Sequence, residues 1–78
     1  MIQGIPVTSS NVALIGYDAG CLYVQFKHGG CYRYDYVPRS VYDDMLAAES
    51  AGSFINQVIK PQFTATQLGA SPFAQTED

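Results

Sequence analysis

With 78 residues, 47% of them hydrophobic and 13% aromatic, the chain carries enough apolar material for one small globular domain. A domain of this size buries only about 60% of the surface its unfolded chain exposes, so association would add stability and a homo-oligomer is expected. A net charge of −3, with Lys27, Arg33, Arg39 and Lys60 as the permanent cations, excludes the broad basic stripe that tracks a long duplex.

Residues 1–8 read as an extended lead-in, in which Ile5 and Val7 are available to pack. Thr8 to Asn11 form a turn or cap cluster whose side chains can bond to nearby backbone. Val12 to Asp18 is a first strand, with Leu14 and Gly16 on one face and Ile15 and Tyr17 on the other. Asp18-Ala19-Gly20 is a turn. The second strand, Cys21 to Lys27, sends Leu22, Val24 and Phe26 one way and Tyr23, Gln25 and Lys27 the other.

His28-Gly29-Gly30 signals a hairpin into a third strand, Cys31 to Val37, where Tyr32, Tyr34 and Tyr36 alternate with Arg33 and Asp35. A tight two-residue loop would set Phe26 opposite Arg33 and spoil the apolar face. A loop over Gly29, Gly30 and Cys31 instead sets Phe26 opposite Tyr34, Val24 opposite Tyr36, Gln25 opposite Asp35 and Lys27 opposite Arg33. That register is expected. It places Tyr34 and Tyr36 mainly in the core, leaves Tyr32 between core and surface, and makes a small cationic spot of Lys27 and Arg33.

Pro38 suits the first position of a helix in which Val41, Tyr42, Met45, Leu46 and Ala48 recur at helical spacing. Gly52 stops that helix, Ser53 caps a shorter one over Phe54 to Ile59, and Pro61 ends it. Gln62 to Leu68 is a candidate fourth strand, and residues 69–78 read as a flexible tail after a single domain spanning 1–68. The expected architecture is α+β: a three-stranded antiparallel meander, with that C-terminal strand as an addition, packed against two short helices.

Here the residues carry a family pattern. Ser9-Ser10, Ile15-Gly16-Tyr17-Asp18, Leu22-x-Val24-x-Phe26, Gly30-x-Tyr32-x-Tyr34, Val37-Pro38-x-x-Val41-Tyr42, Ala48-x-Ser50-x-Gly52 and Asn56-x-x-Ile59-Lys60 together resemble the KTSC domain family. The resemblance runs from Val7 to Phe63 and departs at Ile55, where the family more often has an aromatic. KTSC domains occur at the C-terminus of some lysyl-tRNA synthetases and as stand-alone small proteins. The resemblance implies no catalytic residues, and its domain context implies a nucleotide or nucleic-acid ligand.

The side chains point to binding chemistry. Arg33 offers a forked donor set and Lys27 a point charge for a phosphate or carboxylate, the plainer reading being two solvated surface cations or an Arg33 paired with a carboxylate of the chain. Tyr32, Tyr34 and Tyr23 offer ring faces for bases, and His28 stands beside them in the turn. Ser9 and Ser10 read as capping residues, Cys31 has no activating neighbour in sequence, and Asn56 either bonds local backbone or lines a pocket. Two cysteines and one histidine without close spacing form no metal set, and no cofactor is expected. No enzyme is expected either, the serine pair being the weakest of the three functional readings.

The leading expectation is therefore a non-catalytic binding module for a nucleotide-type ligand, short RNA or a small nucleotide, including sequestration of a nucleotide messenger. The alternative is a protein-interaction or assembly module using the same aromatics. Without an apolar run of spanning length or a basic leader, the cytoplasm is the expected compartment, no membrane partner is expected, and Cys21 and Cys31 stay reduced.

Overall fold

Five antiparallel strands lie side by side in chain order in a computed structural model that describes residues 2–73. They are β1 (Ile5–Pro6), β2 (Val12–Asp18), β3 (Cys21–Phe26), β4 (Cys31–Tyr34) and β5 (Ala65–Leu68). Between β4 and β5 the chain forms α1 (Arg39–Ala47) and a second helix, α2, spanning residues 51–62. The expected α+β meander is present, enlarged at both edges. Ile5 and Pro6 pair with Ile15 and Leu14, and residues 65–68 pair with β4.

Alternation sorts the sheet. Leu22, Val24, Phe26 and Tyr34 face the helices and are buried, joined by Ile15 and Val12 from β2. A bulge between Val12 and Leu14 turns both Val12 and Ile15 inward, three residues apart. From the helices, Tyr42, Met45, Ala51, Ile55 and Ile59 close the core. Ser9 Oγ accepts the N–H groups of Asn11 and Val12 at 3.2 Å each, the turn role expected of the serine cluster.

The β3–β4 hairpin closes earlier than expected. The Phe26 N–H donates to Gly30 at 2.8 Å, the Gly29 N–H donates to Phe26 at 3.0 Å, and Gly29 takes φ +113°. The loop is thus Lys27-His28-Gly29, because Gly29 rather than Gly30 occupies the left-handed position that closes the turn. Leu22 faces Tyr34, Tyr23 faces Arg33, Val24 faces Tyr32 and Gln25 faces Cys31. The two faces survive the shift, but Lys27 no longer faces Arg33; its N–H donates to Asn11 at 2.7 Å. Cys31 lies within β4 and is buried, not in the turn.

Tyr36 also departs from expectation. The strand ends at Tyr34, and Tyr36 takes φ +58° and is 92% exposed. That left-handed step brings Val37 into the core where Tyr36 was expected, with the Val37 N–H donating to Gly20 at 2.9 Å. Pro38 then precedes the helix as its N-cap, and the Val41 N–H donates to the Pro38 carbonyl at 3.0 Å.

The break between helices falls at Ala48–Ser50, before Gly52. Ser50 caps α2 by accepting the Ser53 N–H at 3.2 Å, so Ser53 is inside the helix. Gly52 is there for proximity: a Cβ would stand 2.7 Å from Ser9 Oγ. From Ile55 to Ile59 the helix widens to a π-turn, and the Lys60 N–H donates to the Ile55 carbonyl. The wide turn accommodates Pro61, whose ring would clash with a carbonyl four residues back in a regular α-helix, and the helix runs on to Gln62.

Residues 69–73 are not a free tail. They cross the sheet's outer face, where Phe73 is buried and bridges Ile2, whose N–H donates to Pro72 at 3.1 Å. A Cβ on Gly16 would stand 2.8 Å from both Phe73 and Ile2, so this glycine is the seat on which the segment rests. The rest of the expected tail, 74–78, lies outside the described residues.

Candidate functional site

A recess opens on the helix side of the sheet, where β3, β4 and β5 meet the end of α2. Its volume is about 410 Å³, and Phe26, His28, Tyr32, Tyr34, Lys60, Phe63 and Ala65 line it. Alternation along β3 and β4 supplies Phe26, Tyr32 and Tyr34; the glycine-closed turn presents His28; the last turn of α2 brings Lys60. The His28 ring stacks on Phe26 at 5.5 Å, Tyr32 meets Phe26 edge-on at 5.6 Å, and the Lys60 ammonium lies 5.6 Å from the Phe26 ring centre. Burial pushes the Tyr34 hydroxyl above the ordinary tyrosine range, which keeps it a neutral donor. Among the described residues Lys60 has no ion-pair partner.

The outer face holds a different arrangement. Arg33 Nε donates to Asp35 Oδ1 at 2.8 Å, and the Cys21 thiol donates to the same oxygen at 3.6 Å. The hydrogen bond to Asp35 raises Arg33 above its ordinary value, and burial raises Tyr23 despite the opposing Arg33 charge. Ala19, Gly20, Cys21, Arg33, Asp35 and Tyr36 surround a second recess here. A third cluster lies at the start of α1, where Arg39 stands 5.7 and 5.6 Å from the stacked rings of Tyr17 and Tyr42.

Comparison with known proteins places the chain. The model of the KTSC domain matches residues 8–63, from the Ser9 turn through the last turn of α2 and Phe63. The chain belongs to the KTSC domain family. A KTSC domain protein from Yersinia pestis, known from its crystal structure, superposes with a TM-score of 0.82 at 37% identity, covering 88% of this chain and all of that one. A protein of Tsukamurella paurometabola is 46% identical over 65 residues, covering 81% of this chain and 97% of its own. An uncharacterized protein of Stutzerimonas stutzeri is 42% identical over 63 residues, covering 78% and 89% respectively.

Within this KTSC domain the six residues expected to bind ligand divide between places. Tyr32, Tyr34 and His28 share the groove. Arg33 and Tyr23 face each other on the opposite side of the sheet, and Lys27 lies exposed in the turn. No Lys27–Arg33 clamp exists: the hairpin register separates the two, and Asp35 takes the Arg33 guanidinium. The sequence reading missed Lys60, Phe26 and Phe63 as site residues. For Lys60 and Phe63 the signal is a cation and an aromatic close to Pro61, which becomes spatial only once α2 is known to run past Ile59 and return beside β4; Phe26 reads only as the inward end of its strand.

Proposed function

We propose that this KTSC protein is a non-catalytic binding module for a nucleotide-type ligand, short RNA or a small nucleotide, and that the ligand enters the aromatic groove. The observation that carries the reading is the Lys60 ammonium beside the ring wall of Phe26, His28 and Tyr32. Ring faces suit a base, each stacked base contributing about 1–3 kcal/mol, and the ammonium suits a phosphate. One lysine neutralises few phosphates, which favours a short ligand over a long polyanion and agrees with the net charge of −3. In this reading the protein works in the cytoplasm; among the described residues no helix is long and apolar enough to cross a membrane.

The test is titration with a nucleotide panel and short single-stranded RNA, followed by tyrosine fluorescence and melting temperature. A binder is expected to raise the melting temperature. Lys60→Ala and Tyr32→Ala should remove the shift, whereas Arg33→Ala should leave it. A shift that survives Lys60→Ala and disappears with Arg33→Ala would move the site to the outer face. No shift with any member of the panel would end the nucleotide reading.

A further inference from the structure

The two edges of the sheet are built differently. Strand β1 has two residues, one of them Pro6, which carries no N–H. Strand β5 has four residues and pairs with β4 on one side. Its other side meets no strand among the described residues. Ala65, Thr66 and Gln67 are exposed. Natural sheets blunt such an edge with charge, proline or a covering segment. Here no charged residue occurs anywhere from Pro61 to Thr76, and the strand itself has no proline. Residues 69–73 leave β5 for the outer face instead of covering its edge.

We propose that β5 is a homodimer interface, on which the β5 strand of a second copy pairs antiparallel to make one continuous ten-stranded sheet. The occupant follows from charge. The chain is acidic overall, so two copies repel over most approaches, but this edge is neutral and brings no like charges together.

The register follows from the backbone. The Asp35 N–H donates to the Thr64 carbonyl at 3.2 Å, so Thr64 turns its main-chain groups toward β4. Alternation then turns those of Thr66 and Leu68 the same way and leaves the N–H and C=O of Ala65 and Gln67 pointing outward. Two copies use all these outward groups when Ala65 pairs with Gln67 of the partner subunit and Gln67 with Ala65 of the partner subunit. Thr66 then meets Thr66 of the partner subunit on the two-fold axis, as a non-hydrogen-bonded pair with Cα atoms about 4.5 Å apart.

The dimer also bears on the groove. Gln67 pairs with Tyr32 and Ala65 with Tyr34, so both lie on the helix side, and Ala65 lines the groove. Gln67 of the partner subunit would stand beside Ala65 and add an amide to the groove's open side. Because the axis is perpendicular to the sheet, both grooves open on the same face, their β4 strands separated by three strand spacings, roughly 14 Å. The assembly does not rest on the nucleotide reading and is tested without ligand.

Sedimentation of the purified chain across a concentration series should show a species of twice the 8.5 kDa chain mass. Gln67→Pro removes an outward N–H that β4 does not use and should return the protein to monomer with its circular dichroism retained. Thr66→Cys should form an intermolecular disulfide at that position under mild oxidation, mapped by peptide mass to exclude Cys21 and Cys31, because the pair lies within disulfide reach. Thr66→Glu, which sets two carboxylates opposite each other, should weaken the dimer in low salt and less in high salt. A monomer at every concentration overturns the proposal and leaves the edge to a strand from another protein. A dimer that withstands Gln67→Pro and does not cross-link through Thr66→Cys overturns it equally, since two copies then meet elsewhere.

Discussion

The two faces of β4 carry similar materials to different ends. On the outer face Arg33 and Tyr23 stand opposite each other, and Asp35 holds the guanidinium at 2.8 Å. On the helix side Tyr32 and Tyr34 border the groove, and Lys60 rests against a ring without a carboxylate partner among the described residues. Arginine is the better fork for phosphate, yet here it is engaged within its own strand end. What makes a cation available is its neighbours, and the lysine has the less committing ones.

Substitutions that open each side should widen this contrast. The largest loss is expected on the helix side from Ile55→Ala, which empties a fully buried site in the core and should cost about 2–5 kcal/mol in denaturant unfolding. On the outer face Phe73→Ala should cost about 1.5–3 kcal/mol, and hydrogen exchange should show residues 69–73 released while β3 and β4 remain protected. If Phe73→Ala proves silent, the outer face is an open surface after all.

A subtler difference should appear at alkaline pH. Burial raises Tyr34 and Tyr23 above the ordinary 10.0, so the folded state holds these protons more tightly than the unfolded chain does. Their contribution is complete below pH 10 and is lost as pH rises through the folded-state values. Thermal melts from pH 8 upward should therefore lose stability above 10. Tyr34→Phe should flatten that decline more than Tyr23→Phe, because Tyr34 is the more deeply buried and has no facing arginine. The smallest effect belongs to Asp35→Asn: the half-buried ion pair within one strand end should contribute little to the melting temperature. Its informative readout is whether Arg33, once released, begins to bind phosphate.

Much of this architecture is legible in the sequence, and the failures have local causes. Period-two alternation in Leu22-Tyr23-Val24-Gln25-Phe26 identifies both the strand and its inward face, and the structure agrees. The hairpin loop does not follow from alternation, since two registers four places apart in pairing preserve the same faces. Which of Gly29 and Gly30 takes the left-handed position decides between them, and both are glycine. Tyr36 continues the apolar rhythm, but a backbone step at that residue hands its place to Val37. The groove was half readable for the same reason: Tyr32, Tyr34 and His28 come from the hairpin, whereas Lys60 and Phe63 join it through tertiary packing. Strand β5, Ala65-Thr66-Gln67-Leu68, carries too little hydrophobic pattern to announce its partner.

The π-turn at Ile55–Ile59 has a consequence for how this helix tolerates changes in length. A turn closed by bonds five residues apart holds one residue more than a regular α-turn. Asn56 and Gln57 bulge to solvent there, while Ile55 and Ile59 keep their places in the core. Deleting Gln57 would shorten the wide turn to an ordinary one and drive the Pro61 ring against the carbonyl four residues back, so the deletion should be tolerated only together with Pro61→Ala. Deleting one residue from α1 would rotate Tyr42 or Met45 out of the core. The extra residue and the proline are therefore a matched pair, placed immediately before the residues that close the groove.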